Sequence, residues 1–211
     1  MTPVYHFTHK RNLHSIILCE GCLSDRLRLE RGISHHNVAY SGLKRRRSEL
    51  AVDLAPGGRL NEYVPFYFGA RSPMLYAYAF GNVTGRREDQ DDLVYLVTHA
   101  ETVRDAGLAF VFTDGHPVRE PRKFYNDLVD LSYVDLPLMS EKYWNDTNED
   151  PDRKRRRQAE FLVRHFLPWP LISAVGVRTV RVAHEVDELT TLSNHRPEVL
   201  VRPDWYYTTR R

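Results

Sequence analysis

The residues best suited to chemistry stand at the ends of two long polar segments. Arg47 closes the basic run Lys44-Arg45-Arg46-Arg47. Glu160 follows a second run, Arg153-Lys154-Arg155-Arg156-Arg157, and opens the apolar stretch Phe161-Leu162-Val163. A carboxylate at the edge of an apolar strand is either a solvated strand end or a placed functional group, and the basic sequence before it suits an anionic substrate. The basic runs read as solvated loops, or as local contacts to phosphate. Binding and catalytic groups concentrate on such loops over a rigid scaffold.

His6 lies inside the first apolar segment, two residues before Thr8. It is either a hydrogen-bonded core histidine or a residue that orients a ligand from a strand. His116 follows Phe112-Thr113-Asp114-Gly115 at a strand end, a common place for a site residue. The chain has ten histidines, so type alone singles out neither. Aromatic residues crowd positions 63–80, and most must be core. Tyr67, Arg71 and Met74 can instead line a pocket that stacks a base, which contributes about 1–3 kcal/mol per base. Cys19 and Cys22 have neither a second cysteine pair nor a His-x-x-x-His to complete a zinc site. They read as a reduced or structural pair near a helix end, and no metal is expected. No Gly-rich phosphate loop occurs, so neither a Rossmann nor a P-loop reading is supported.

These groups need a scaffold, and the apolar pattern supplies one. Strands are expected at Val4–Thr8, at Tyr63–Phe68 with Pro65 near its start or at an edge, and at Leu93–Thr98. Others fall at Ala109–Thr113, at Ala159–Val163, where a helix is the alternative, and at Ile172–Val180 and Val199–Val201. Helices are expected over Asn12–Glu20 with a Gly stop, from Ser72-Pro73 with Pro in the first turn, over Glu101–Ala106, from Pro121, and over Val182–Leu192. The mixture makes the class α/β or α+β. Residues 24–60 are polar, basic and interrupted by Pro56-Gly57-Gly58, and are expected to be weakly structured, in part disordered without ligand. A second polar stretch covers about 137–157.

Composition sets the outer bounds. The chain has 211 residues, 42% hydrophobic and 27% charged, with a net charge of +2. That is enough for one substantial core in a single domain, residues 1–211, and excludes a wholly disordered chain. No run of about 18 apolar residues occurs, so no transmembrane helix is expected. No signal peptide is evident, and a cytoplasmic location is the default. Acidic clusters at Glu88-Asp89-Gln90-Asp91-Asp92 and Glu149-Asp150-Pro151-Asp152 offset the basic runs.

Taken in order, several blocks are more specific than any alone. They are Tyr5-His6-Phe7-Thr8-His9 with Asn12-Leu13, Lys44-Arg45-Arg46-Arg47, and Glu62-Tyr63-Val64-Pro65-Phe66-Tyr67-Phe68 with Arg71-Ser72-Pro73-Met74-Leu75-Tyr76. Phe110-Val111-Phe112-Thr113-Asp114-Gly115-His116, Gln158-Ala159-Glu160-Phe161-Leu162-Val163 and Asp204-Trp205-Tyr206-Tyr207 complete the series. From about residue 4 to 207 the chain closely resembles the DarT family of bacterial DNA ADP-ribosyltransferase toxins. The resemblance implies an ADP-ribosyltransferase fold, with NAD as co-substrate in a cleft between two small sheets with flanking helices. It implies transfer of ADP-ribose to a base of single-stranded DNA, commonly thymine at N3, which blocks replication. The implied partner is a DarG antitoxin whose macrodomain removes the mark.

The resemblance also assigns residues. His6 matches the strand histidine that contacts NAD, with Val4, Tyr5, Thr8 and Asn12 around the same pocket. Arg47 matches the arginine of the NAD-covering loop, about 24–60, and Glu160 the catalytic glutamate. Tyr67, Arg71, Met74 and His116 fall on the DNA-facing surface, and Lys154 and Arg155 in the basic run are expected to contact phosphates. Residues 116–160 correspond to the substrate-selecting loop. Ser41-Gly42 stands where some relatives carry a histidine, and Gly69-Ala70 replaces a Cys-Pro pair. Arg47 has two readings: an electrostatic stabiliser of a base anion and the diphosphate, or a proton acceptor. The competing functions are modification of guanine, RNA or protein on the same fold, and a non-catalytic single-strand-binding module.

Overall fold

The computed structural model describes residues 1–83, 85 and 89–208. Glu88 of the first acidic cluster and the Ser41 side chain lie outside what is described. In chain order the strands are β1 (Pro3–His9), β2 (Gly21–Leu23), β3 (Tyr63–Tyr67), β4 (Leu93–His99), β5 (Phe110–Thr113), β6 (Phe124–Tyr125), β7 (Glu160–Arg164), β8 (Phe166–Pro168), β9 (Ala174–Val177) and β10 (Glu198–Val201). The helices are α1 (Leu13–Leu18), α2 (Asp25–Glu30), α3 (Ser41–Glu49), α4 (Pro73–Ala79), α5 (Ala100–Asp105), α6 (Leu136–Ser140), α7 (Arg153–Arg156) and α8 (Val180–Thr190).

Among the described residues, eight strands form one sheet in the order β10-β9-β4-β1-β3-β7-β5-β6, and β2 pairs with β8 in a second. The mixed α/β class is as expected. The two sheets are unequal rather than both small, because β2 and β8 are three-residue strands with no periodic signature. Central β4 is apolar along most of its length and pairs with both β1 and β9, as buried strands do. One core packs Val4, Phe66, Leu96 and Phe161 with Leu13 and Ile17 of α1 and Val182 and Val186 of α8. A second packs Phe7, Tyr95 and Val97 with Leu75 and Tyr78 of α4 and with Trp205, Tyr206 and Tyr207.

Two expectations need correction. Residues 24–60 contain α2, α3 and a short 3-10 turn at Leu60–Glu62. Ion pairs and the α2 cap, rather than an apolar stripe, hold α2 and α3, while Leu60 of the turn packs with Val52 and Tyr63. Ser24 caps α2 by accepting from the Leu27 amide. Arg26 reaches Glu62 at 2.6 Å, and Lys44 reaches Asp25 at 3.1 Å. The segment after Pro121 is no helix: Phe124 and Tyr125 pair as β6 with Thr113 and Phe112 of β5, followed by a 3-10 stretch, Leu128–Tyr133. Tyr133 stacks on Tyr125, which stacks on Phe112, so the apolar side chains extend a sheet edge instead of lining a helix.

Candidate active site

Glu160 begins β7, opposite Tyr67 of β3. Its amide donates to Thr113 Oγ1 at 3.1 Å, and that hydroxyl donates to the Gly115 carbonyl at 2.7 Å. The side chain is buried, at 4% exposure. Arg47, on α3, donates through Nη1 to both carboxylate oxygens, at 2.8 and 3.2 Å. Burial pushes the Glu160 carboxyl above its usual value, and the Arg47 charge and hydrogen bond oppose that push. Arg47 Nη2 is buried without a partner among the described residues. The pair thus presents a donor still able to take an anionic or carbonyl oxygen.

This pair stands in a cleft that is partly open to solvent. β1 contributes His6 and Thr8, α1 contributes Ile16, the turn after it Cys19, β2 contributes Cys22, and β3 contributes Tyr67. His6 Nδ1 lies 2.8 Å from the Pro65 carbonyl. A carbonyl only accepts, so Nδ1 carries the proton in that bond. Burial lowers the His6 pKa, against the opposing Pro65 hydrogen bond, so the ring is neutral and Nε2 is left as an acceptor. Tyr67 stacks on Phe7, and burial raises its phenol pKa, with the Glu160 charge adding to the effect.

The far wall of the cleft is the segment between α2 and α3, including Ile33, His35, Asn37, Val38 and Ala39. Asn12 fixes it. Its Nδ2 donates to Thr8 Oγ1 at 2.9 Å and to the His36 carbonyl at 3.0 Å, while its Oδ1 accepts from the His36 amide at 2.8 Å. Asn12 therefore positions the wall rather than lining the cleft. Val4 and Tyr5 do not reach the cleft either. Val4 is sealed in the core. Neighbouring residues on a strand point to opposite faces, and Tyr5, turned from His6, meets Tyr95 and Trp205 edge-on.

A second groove adjoins the first, with Leu43 of α3 and Met74 of α4 lining both. Arg45, Arg46, Arg71, Arg119, Lys142 and Lys154 face it, interleaved with Tyr40, Tyr76, Tyr143 and Tyr207. Arg71 has a positive φ of 57°, and its guanidinium lies 4.8 Å from the Tyr207 ring centre. His116 lies in the groove. Its Nδ1 accepts from the Val118 amide at 3.1 Å, and burial, then Arg119 and Arg47, lower its pKa to about 4. A neutral ring with Nδ1 accepting has its proton on Nε2, so His116 is a donor.

The second basic run divides. Lys154 is exposed and lines the groove. Arg155 does not line it: Asp152 holds it at 2.8 Å and Asp114 at 3.2 Å. Arg156 is held by Asp150 and Asp135. Arg157 is 1% exposed and donates to the Ala70 carbonyl. Most of this run therefore anchors residues 135–157 beside β7. Gly69 is required there, because a Cβ would strike the Met139 carbonyl and the Arg157 guanidinium. Sequence reading passed over Arg28, His35, Tyr40 and Tyr143 as site-lining groups. Only Lys142-Tyr143-Trp144, an aromatic pair inside a polar stretch, carried a local signal.

The family model for the single-stranded DNA thymidine ADP-ribosyltransferase DarT matches residues 5–207. A DNA ADP-ribosyl transferase of Thermus sp. (strain 2.9) is 38% identical over 215 residues, covering 98% of this chain and 96% of the relative. The structure of Thermus sp. 2.9 DarT in complex with ADP-ribosylated ssDNA superposes with a TM-score of 0.90 at 38% identity, over 98% of this chain and 96% of that one. The same Thermus protein in complex with NAD+ superposes with a TM-score of 0.87 at 36% identity, over 98% of each chain. Thermosipho africanus DarTG in complex with ADP-ribose has a TM-score of 0.78 at 25% identity, covering 100% of this chain and 52% of that one. The chain belongs to the DarT family of single-stranded DNA thymidine ADP-ribosyltransferases.

Proposed function

We propose that this protein binds NAD+ in the cleft and single-stranded DNA in the groove, and transfers ADP-ribose to thymine N3. The observation that carries the reading is the buried Arg47–Glu160 pair, in a cleft whose wall at Leu43 and Met74 is shared with a cationic, aromatic groove. Such a groove suits a single strand: cations track the backbone and aromatic faces stack bases. A base already unstacked reaches an enclosed site at little cost.

In the reaction the bond from nicotinamide to ribose C1′ breaks, and its electron pair leaves with nicotinamide. A new bond forms from C1′ to thymine N3, which releases its proton to solvent. Positive charge develops on the ribose as the first bond stretches. Glu160 holds a ribose hydroxyl and stabilises that charge, strongly so in a water-poor site. His6 Nε2 accepts from the nicotinamide riboside and fixes its orientation. Arg47 remains a guanidinium, since arginine is essentially always protonated. Its unpartnered Nη2 stabilises the base as N3 loses its proton, or the diphosphate, and His116 Nε2 donates to a base carbonyl. Tyr67, Arg71 and Met74 shape the gap where the base meets C1′.

The single-domain organisation follows the same plan, with residues 24–60 covering NAD+ and 116–160 facing the strand. The Thermosipho relative is named DarTG and is about twice as long as this chain, which supports a macrodomain antitoxin of the DarG kind as partner. No helix among the described residues is long and apolar enough to cross a membrane, and we place the protein in the bacterial cytoplasm. Mass spectrometry of single-stranded oligonucleotides, varied in thymine and guanine and incubated with NAD+, tests the reading. A gain of one ADP-ribose on thymine, absent with Glu160→Ala, is expected. A gain on guanine alone, or on RNA or protein alone, overturns the substrate assignment. Retained transfer in Glu160→Ala overturns the mechanism.

A further inference from the structure

Arg28, Lys44 and Arg47 line the cleft against the carboxylates of Asp25 and Glu160. Arg47 is committed to Glu160 at 2.8 Å, and Lys44 to Asp25 at 3.1 Å. Arg28, on α2, lines the same cleft and is differently placed. Its Nη1 donates to the Ile33 carbonyl at 2.9 Å. Its Nη2 has only a long 3.5 Å contact to Asp25. Its Nε is sealed from solvent and has no partner among the described residues. Buried donors in native proteins are nearly always paired, so an orphan in a binding cleft marks where an acceptor arrives from outside.

The free edge has a particular shape. With Nη1 spent on Ile33, the parallel N–H groups of Nε and Nη2 remain, the edge that meets a carboxylate or phosphate in bidentate fashion. The electrostatics give the cleft a direction. Glu160 and Arg47 mark one end. His6 feels the charge of Asp25, while His35 feels Lys44, Arg28 and Asp25. Lys44, about one turn before Arg47 on α3, pairs with Asp25 of α2 at 3.1 Å, so α3 links the Glu160 end of the cleft to the α2 end. Burial, then Lys44 and Arg28, hold His35 at about 4, so it adds no charge of its own near neutral pH.

Resting on the reading that the cleft binds NAD+, we propose that Arg28 grips the dinucleotide diphosphate through Nε and Nη2, while Nη1 keeps the wall at Ile33 closed over it. The nicotinamide riboside then lies at Glu160 and the diphosphate toward α2. Asp25 holds Arg28 and Lys44 in place and serves as their counter-charge before the diphosphate arrives.

The test compares inhibition of DNA transfer by ADP, adenosine and nicotinamide in the wild type, Arg28→Gln and Arg28→Lys. Arg28→Gln is expected to raise the ADP inhibition constant about tenfold or more, as loss of a charge-assisted bidentate contact does. KM for NAD+ rises with it, while kcat and the constants for adenosine and nicotinamide stay within about twofold. Arg28→Lys keeps the charge without the fork and falls between; should Arg28→Gln not fold, the same selective loss for ADP is read from Arg28→Lys. Equal weakening of ADP and adenosine shows that Arg28 only pins the wall and overturns the proposal, as does an unchanged ADP constant. A wild type that consumes no NAD+ and binds no ADP overturns the NAD+ reading itself, and the role of Arg28 with it.

Discussion

Replacing Arg47 by Met keeps much of the side-chain volume and removes the cation facing Glu160. Burial pushes the Glu160 carboxyl up and Arg47 pulls it down, so in the variant only the upward push remains. A carboxyl whose pKa is higher in the folded than in the unfolded chain contributes stability below the unfolded value and loses it as pH rises through the folded value. Arg47→Met should therefore nearly match the wild type in acid and fall behind as pH rises. Leaving a buried charge unpaired costs about 3–5 kcal/mol, but Glu160 can escape by binding a proton. Holding that proton costs about 1.4 kcal/mol for each pH unit above the ordinary value of 4.5. The deficit is thus capped near 3.5 kcal/mol at pH 7 and near 1.4 kcal/mol at pH 5.5. The raised wild-type value places both measured deficits below these caps. Urea denaturation of both proteins at several pH values, followed by circular dichroism, reads the difference directly. A deficit of equal size at pH 5.5 and pH 7 refutes the reasoning, because it assigns the cost to lost packing rather than to an uncompensated carboxylate.

Other outcomes follow from the same geometry. Asn12→Ala removes three hydrogen bonds that hold the cleft wall; stability should fall by about 1–3 kcal/mol, and steady-state kinetics should show KM for NAD+ rising more than kcat falls. Arg155→Ala should leave the salt dependence of oligonucleotide binding unchanged, since Asp152 and Asp114 already hold that side chain. Arg45→Ala and Arg46→Ala should each lower the log–log salt slope by about 0.7 in fluorescence anisotropy titrations. Tyr143→Ala, which removes an aromatic 73% exposed in the groove, should weaken single-strand binding by about 1–3 kcal/mol and leave NAD+ binding intact. Gly69→Ala should lower the melting temperature, because the added methyl has no room beside Met139 and Arg157.

The parts legible in sequence are those where a local pattern carries its own physics. β1, β4 and β7 announce themselves as apolar runs, α4 by Ser72-Pro73, and α8 by its apolar spacing. Glu160 was legible because an acid opens an apolar strand after a basic run. α2 and α3 were hidden because charge, not an apolar stripe, holds them, and Asp25–Lys44 and Arg47–Glu160 join residues 19 and 113 apart in sequence. The run at 153–157 misled in the opposite sense. Its cations all look like a phosphate-binding surface, and only the fold shows Asp114 and Asp152 meeting Arg155, and Asp135 and Asp150 meeting Arg156, while Lys154 stays exposed in the groove. Tyr5 fails as a cleft residue for a simpler reason: one position along a strand is the other side of the sheet.

The shared wall at Leu43 and Met74 also bears on inhibition. Two weak fragments, one shaped for the cleft and one for the groove, would meet across two side chains. A short tether between them turns the second binding event into an intramolecular one, and effective concentrations in the millimolar range follow for short linkers. A linked bisubstrate compound should then exceed either fragment by orders of magnitude without a new contact. A bulkier residue at Met74 should erode that gain by narrowing the passage the tether must cross.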